Sequence, residues 1–239
     1  MAIFEAKDIA VSFTCRDLSV PLFSEVSFSL EEQTIYDLVG PSGSGKSTLL
    51  RACAQMIGRT EGELFLKGTS STGMDPTLWR RRVCLVPQKP SLVAGTVRSN
   101  LVLPWTLKVH AGESPPADDR LSDLLEKAEL RDIELDRDVS QLSGGQQARV
   151  ALLRAFATSP PVLLLDEVDA SLDAESACAI GRLTKALVGQ GMTCLRIRHR
   201  SADGFSAGTF ELDAGKLSYQ AGLAGAGSCG AETAHERSR

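Results

Sequence analysis

Three short stretches hold the residues best suited to phosphate chemistry. The first is Gly40-Pro41-Ser42-Gly43-Ser44-Gly45-Lys46-Ser47-Thr48. Glycines at 40, 43 and 45 permit positive φ, so successive backbone N–H groups can converge on one anion. Leu49, Cys53, Met56 and Ile57 recur at helical spacing just beyond, which adds the partial positive charge of a helix N-terminus at the same point. The apolar run that ends Thr34 to Val39 supplies a buried strand before the loop. Lys46 has the length to reach β- and γ-phosphates, and the Ser47 hydroxyl can ligate Mg²⁺. Strand, glycine-rich loop and helix in this order imply a nucleotide site.

The second stretch is Val162-Leu163-Leu164-Leu165 followed by Asp166-Glu167. A continuous apolar run suits a strand buried on both faces of a parallel sheet, and the C-terminal edge of such a sheet is where ligands bind. Asp166 there can hold Mg²⁺ through water, and Glu167 can polarise an attacking water as general base. The third is Gln141 to Arg149, where Ser143, Gly144 and Gly145 open a helical pattern. By itself that is either a second anion site or an ordinary helix cap. Phe13 is either an adenine-stacking aromatic or an edge-strand side chain.

The elements around these stretches must bring them together. Ile3 to Phe13 and Val26 to Leu30 alternate apolar with polar, as half-buried strands do. Glu61-Gly62 marks a turn before a short strand at 64–66, and Asp75-Pro76 opens a helix through Arg82. Val83 to Val86 reads as a strand that runs into Pro87-Gln88. From about Lys89 the texture turns helical, with Leu121, Leu124, Leu125 and Ala128 on one face. Strand patterns return after Pro160-Pro161. Asp173 caps a helix carrying Ile180, Leu183, Thr184 and Leu187, and Met192 to Ile197 is a strand that leads to His199. A strand pair turns near Asp213 to Lys216. The expectation is a single α/β domain over 1–220, its core at about 1–88 and 159–220 and a helical subdomain inserted at about 89–158. The Gly/Ala/Ser-rich stretch 221–239 is expected to be a disordered tail.

Composition narrows the partners. The chain has 239 residues, 43% hydrophobic and 23% charged, with a net charge of -4, so it lacks the basic footprint of a nucleic-acid binder. Six cysteines stand at 15, 53, 84, 178, 194 and 229, with no Cys-x-x-Cys pair. A reduced, cytosolic compartment fits them better than a disulfide framework or zinc site. Glu5, Lys7 and Asp8 break any N-terminal signal pattern, and no apolar run approaches the roughly 20 residues of a membrane span. A membrane role would come through a partner.

Taken in order, these residues resemble the ATP-binding subunits of ABC transporters, over nearly the whole chain to about Tyr219. Gly40 to Thr48 match that family's P-loop and Gln88 its Q-loop glutamine. Leu142-Ser143-Gly144-Gly145-Gln146 match its signature, and Leu163 to Glu167 its Walker B strand with catalytic glutamate. Ser171-Leu172-Asp173 match the D-loop, His199 the switch histidine and Phe13 the adenine-stacking aromatic. The resemblance implies a P-loop NTPase fold with antiparallel N-terminal strands, ATP as ligand and Mg²⁺ held near Ser47, Asp166 and Gln88. It implies a head-to-tail homodimer in the ATP-bound state, in which Ser143, Gly144 and Gly145 of one copy close on the nucleotide of the other. Glu167 would activate water, His199 would contact the γ-phosphate, and Gln88 would link the metal to an integral-membrane permease. The subunit would work at the cytoplasmic face of a membrane, hydrolysing ATP to power transport, with no nucleic acid involved. A narrower likeness, in Gly95 to Trp105, is to small ATPases paired with bacterial iron-efflux permeases; plant aluminium-tolerance ATPases share that pattern.

Two other readings compete, a soluble non-transport ABC ATPase and a hydrolysis-impaired regulatory subunit. The second draws on a departure from the family pattern: Leu195-Arg196-Ile197-Arg198-His199-Arg200 replaces an apolar strand ending in Thr-His-Asp. A buried arginine is costly unless paired, so Arg196 must reach either the surface or an acid. Arg198 and Arg200 would add positive charge beside the γ-phosphate, strengthening binding or displacing His199.

Overall fold

Alternating side chains near the N-terminus produce two long strands, β1 (Ala2–Cys15) and β2 (Leu18–Glu31). The chain then forms β3 (Ile35–Val39), the glycine-rich loop and α1 (Lys46–Cys53). β4 (Glu61–Leu66), β5 (Thr69–Ser70), α2 (Pro76–Arg82) and β6 (Val83–Val86) follow. Next come α3 (Val97–Leu101), α4 (Asp118–Lys127) and α5 (Gly144–Ala157). The chain closes with β7 (Val162–Asp166), α6 (Ala174–Val188), β8 (Thr193–Ile197), β9 (Gly208–Asp213) and β10 (Lys216–Ala221). This computed structural model describes residues 1–15, 18–89, 91–170, 172–198 and 203–222. Ser171, His199, Arg200 and all but the first two residues of the expected tail lie outside them.

The strands form two sheets. One is four-stranded and antiparallel in the order β2-β1-β4-β5; the other runs β10-β9-β3-β8-β7-β6, parallel throughout except for the β9–β10 hairpin. β7 and β8 are buried along their whole length, which explains the uninterrupted apolar run at 162–165. Because strand side chains alternate, Val162 and Leu164 join one core while Leu163 and Leu165 join another. The first core packs the two sheets and α1 around Phe4, Leu38, Leu49, Trp79 and Phe210. The second gathers Leu101, Leu121, Phe156 and Leu183 from α3, α4, α5 and α6 on the opposite face.

These elements are those of an α/β P-loop core with an antiparallel N-terminal sheet. β2 is longer than the expected Val26–Leu30 because β1 supplies hydrogen-bonding partners through repeated register shifts that interrupt the alternation. Asp75 caps α2 by accepting from Thr77 N and Leu78 N, with Pro76 in its first turn. Cys53, Cys84 and Cys194 are free thiols; burial pushes Cys53 and Cys194 up to about 12 and Cys84 up to about 11. Among the described residues no helix is long and apolar enough to cross a membrane.

Candidate active site

The loop between β3 and α1 is held in its shape by the surrounding backbone. Gly40 has φ 141°, and a Cβ there would lie 2.1 Å from the carbonyl oxygen of Leu212 in β9, so no side chain fits without moving a strand. Lys46, 5% exposed, folds back over the loop and donates to the carbonyls of Gly40 (2.8 Å) and Pro41 (2.9 Å). Leu49 N bonds Gly45 O as the first turn of α1 closes, and the earlier N–H groups have no partner inside the helix. Among the described residues the buried Ser44 hydroxyl has no hydrogen-bond partner either. A glycine-rich loop that carries a buried ammonium, a buried hydroxyl and the first N–H groups of α1 has the donor set that an anion's oxygens require.

The end of β7 meets this loop directly. Ser47 Oγ donates to Asp166 Oδ1 at 2.7 Å, joining residues that stand 119 positions apart. Asp166 is 2% exposed, with an Arg51 guanidinium nitrogen 3.7 Å from its other oxygen. Gln88 Nε2 donates to Glu167 Oε2 at 2.9 Å, which ties the segment after β6 to the end of β7. Glu167 lines a cleft of about 390 Å³ together with Phe13, Leu22, Ser42, Gly43, Gly45, Lys46, Ser47 and Thr48. Phe13 is 53% exposed at the mouth of this cleft, so a ring face is accessible there. Ser47 and Asp166 are hard oxygen donors side by side, and they fit Mg²⁺. That ion is usually held by one or two protein oxygens together with a substrate's phosphates. Among the described residues no cluster of three His, Cys, Asp or Glu would cage a metal by protein ligands alone.

The signature residues stand apart from the cleft. Ser143 is the N-cap of α5 and accepts from Gln146 N at 3.3 Å, while Gln146 Oε1 accepts from Ser143 N at 2.9 Å. This reciprocal capping box fixes the start of the helix and leaves Ser143 and Gly144 exposed. Gly145 packs so closely on α6 that a Cβ would lie 2.5 Å from Ser176 Oγ. None of the three lines the cleft around Lys46. The expected roles of His199 and of Ser171 fall outside the described residues. Trp105 is half-buried against the helical core, its ring 5.3 Å from that of His110.

Arg196 turns inward. It is 4% exposed and in register with Asp37 of β3; its Nε donates to Asp37 Oδ1 at 2.6 Å and its Nη2 to Asp203 Oδ1 at 2.8 Å. Burial would raise the Asp203 carboxyl, but the hydrogen bond and charge of Arg196 outweigh it and hold the group below the usual range. Arg198 continues the chain of charges, with Nη1 2.5 Å from Asp203 Oδ2 and Nε 3.5 Å from Asp169 Oδ2. It does not line the cleft, so the expected charge beside the γ-phosphate is not delivered by Arg198. The three acids were missed in the sequence. An aspartate inside the apolar strand Ile35-Tyr36-Asp37-Leu38-Val39 and an arginine inside Leu195-Arg196-Ile197 were the available signal for a cross-strand pair.

Three comparisons with known proteins bear on this geometry. A family model described as "ABC transporter" matches residues 23–170. "Probable iron export ATP-binding protein FetA" of Escherichia coli (strain K12) is 36% identical over 152 residues, which are 64% of this chain and 66% of FetA. "Phosphate import ATP-binding protein PstB" of Pyrobaculum aerophilum is 36% identical over 208 residues, 83% of this chain and 81% of PstB. The "Dimeric structure of a post-hydrolysis state of the ATP-binding cassette MJ0796 bound to ADP and Pi" aligns with TM-score 0.78 and 27% identity. It covers 91% of this chain and 98% of that one. The chain thus spans just under two thirds of the length of FetA and about four fifths of PstB.

Proposed function

This chain belongs to the ABC transporter family of ATP-binding proteins, and on that premise we propose that it hydrolyses ATP to drive transport through a separate membrane permease. The observation that carries the reading is the 2.7 Å bond from Ser47 to Asp166, with Glu167 beside it in the phosphate cleft. The loop at 40–48 holds the phosphates, and Lys46 exchanges its carbonyl partners for β- and γ-oxygens. Ser47 and Asp166, with Gln88 alongside, would hold Mg²⁺, which would supply charge neutralisation on the phosphates when bound. Glu167 orients a water and accepts its proton. Phe13 stacks on the adenine, and its exposed ring at the cleft mouth supports this.

The nucleotide is closed from the other side by a second copy. Ser143, Gly144 and Gly145 are at the N-terminus of a 14-residue helix and do not line the cleft of their own chain, which suits phosphate binding in trans. His199 adds a contact to the γ-phosphate. The chain acts as one domain over about 1–220, with a helical subdomain at about 89–158. Between β6 and β7 the described residues form helices and turns with no strand, which supports that division. A groove of about 440 Å³ beside Pro87 and Lys89 has apolar walls from Leu85, Leu107 and Val109 and a rim of Arg80 and Arg154; we place the permease contact there. Docking through it makes the subunit peripheral, at the cytoplasmic face. The cargo we assign is a metal ion moved outward, supported by the Gly95 to Trp105 pattern and by the relative named for iron export. Arg198 does not line the cleft, which removes one of the two charges on which the reading of a hydrolysis-impaired subunit draws; the other, Arg200, lies outside the described residues.

The test is Glu167→Gln, which keeps the side chain's size and removes its basicity. The variant is expected to bind ATP, sediment as a dimer with it, and release phosphate at least about a hundredfold more slowly than wild type. Wild-type phosphate release by this variant would overturn the assignment of the base.

A further inference from the structure

The buried charges behind the site are unevenly held. Three carboxylates, Asp37, Asp203 and Asp169, face two guanidiniums, Arg196 and Arg198. Arg196 is fixed by hydrogen bonds of 2.6 Å and 2.8 Å to Asp37 and Asp203, which join β3, β8 and the connection that follows β8. At the other end, Asp169 touches Arg198 only at 3.5 Å, beyond a well-formed hydrogen bond. Arg198 keeps Asp203 at 2.5 Å whether or not Asp169 stays. Asp169 can therefore depart without stranding a buried cation, and its contact is the longest of the four.

What Asp169 holds is the turn that carries Glu167. Ala170 N bonds Glu167 O at 3.1 Å, and Leu172 N bonds Asp169 O at 3.3 Å, so these residues share one tight segment. Glu167 sits at φ 52°, a left-handed conformation uncommon for a residue that bears a side chain. Among the described residues two contacts bear on this segment: Gln88 on the Glu167 carboxylate, and Arg198 on Asp169 two residues further along. β7 and β8 are adjacent and parallel, with Asp166 opposite Ile197, so the second contact spans neighbouring strand ends.

We infer that Asp169 is a positioning residue, a latch on Arg198 that aims the Glu167 turn at the phosphate cleft, while Asp37, Arg196 and Asp203 form the fixed anchor behind it. The inference rests on the proposed role of Glu167 and extends it to two residues that do not line the nucleotide cleft. Releasing the latch displaces the base and leaves the phosphate loop unaltered. The cost therefore falls on kcat and spares nucleotide binding.

The experiment uses the full chain with Asp169→Asn, which removes the charge at constant size, and Asp169→Glu, which restores it. Steady-state ATP hydrolysis, binding of a fluorescent ATP analogue and thermal melting are measured for each, with Glu167→Gln in parallel. Asp169→Asn is expected to lower kcat about tenfold, since small misplacements of a catalytic group are costly. Its KM and analogue affinity should stay within about twofold of wild type and its melting temperature within a few degrees. Asp169→Glu should recover at least half of the lost rate. Wild-type kcat in Asp169→Asn overturns the latch, and so does a loss of affinity or melting temperature in step with the rate. A glutamate variant as slow as the asparagine one also overturns it, because charge would then not be the operative property. If Glu167→Gln itself hydrolyses normally, the failure belongs to the assignment of the base; if that variant is inactive and Asp169→Asn is normal, only the latch fails.

Discussion

Replacing Arg196 with methionine removes a buried guanidinium and keeps most of the side chain's volume. In the native protein the side chains of Asp37, Arg196 and Asp203 are 8%, 5% and 7% exposed, so little solvent is available to replace the lost partner. Asp203 retains Arg198 at 2.5 Å, whereas Asp37 loses its ion-pair partner in the described structure. One uncompensated buried carboxylate is therefore the cost to count, about 3–5 kcal/mol by analogy with other broken buried pairs. For a chain of this size that lowers the melting temperature by roughly 6–20 °C, a large part of a typical total stability. The double variant Arg196→Met/Asp37→Leu removes the stranded charge as well. It is expected to recover most of the loss, since apolar groups of similar volume often replace a buried pair at little cost. Thermal and urea melts followed by far-UV circular dichroism measure both variants. A double variant as unstable as the single one would show that lost packing, and not the stranded Asp37, sets the cost.

Two further outcomes follow from the same coordinates. Gly40→Ala must drive a methyl group toward Leu212 O at 2.1 Å, and the displacement of loop or strand should cost about 1–3 kcal/mol and weaken binding of a fluorescent ATP analogue at least about tenfold; equal affinity and equal melting would refute the steric account. The Asp203 carboxyl is held below its ordinary range, so its contribution to stability is complete above the unfolded value near about pH 4 and is lost as pH falls through the depressed folded value. The gap in melting temperature between wild type and Asp203→Asn should accordingly be widest near neutral pH and narrow steadily in acid; a gap that widens on acidification would contradict the sign.

Much of this could be read from short segments because their physics is local. A strand with both faces covered needs only apolar residues, so Val162 to Leu165 announced β7 and placed Asp166 and Glu167 at its end. Asp75-Pro76 and Asp173 carry their own capping chemistry, and α2 and α6 begin where those residues stand. The alternation marks only Val26 to Leu30 of β2 because the register shifts against β1 break it elsewhere, a property of the pair and not of either strand. The charge chain was illegible for the same reason at longer range. Nothing near Arg196 indicates that its acid lies 159 positions away on β3, or that Asp203 follows it in the next connection. The bond from Gln88 to Glu167 joins two residues the sequence had singled out separately, and only the fold shows that they meet.

The capping box at Ser143 limits which residues could stand in that position. As the cap of α5, the hydroxyl accepts from Gln146 N through a lone pair, and this leaves its single proton uncommitted. The same atom can thus end a helix of its own chain and donate to a phosphate oxygen on another, without giving up either bond. Threonine shares that double valence. Aspartate would cap as well but would present negative charge to a phosphate, and alanine would leave the Gln146 amide unpaired. Tolerance to substitution at position 143 is therefore a report on whether a second subunit reads it: aspartate is acceptable to the isolated fold and should be unacceptable to the assembled pair.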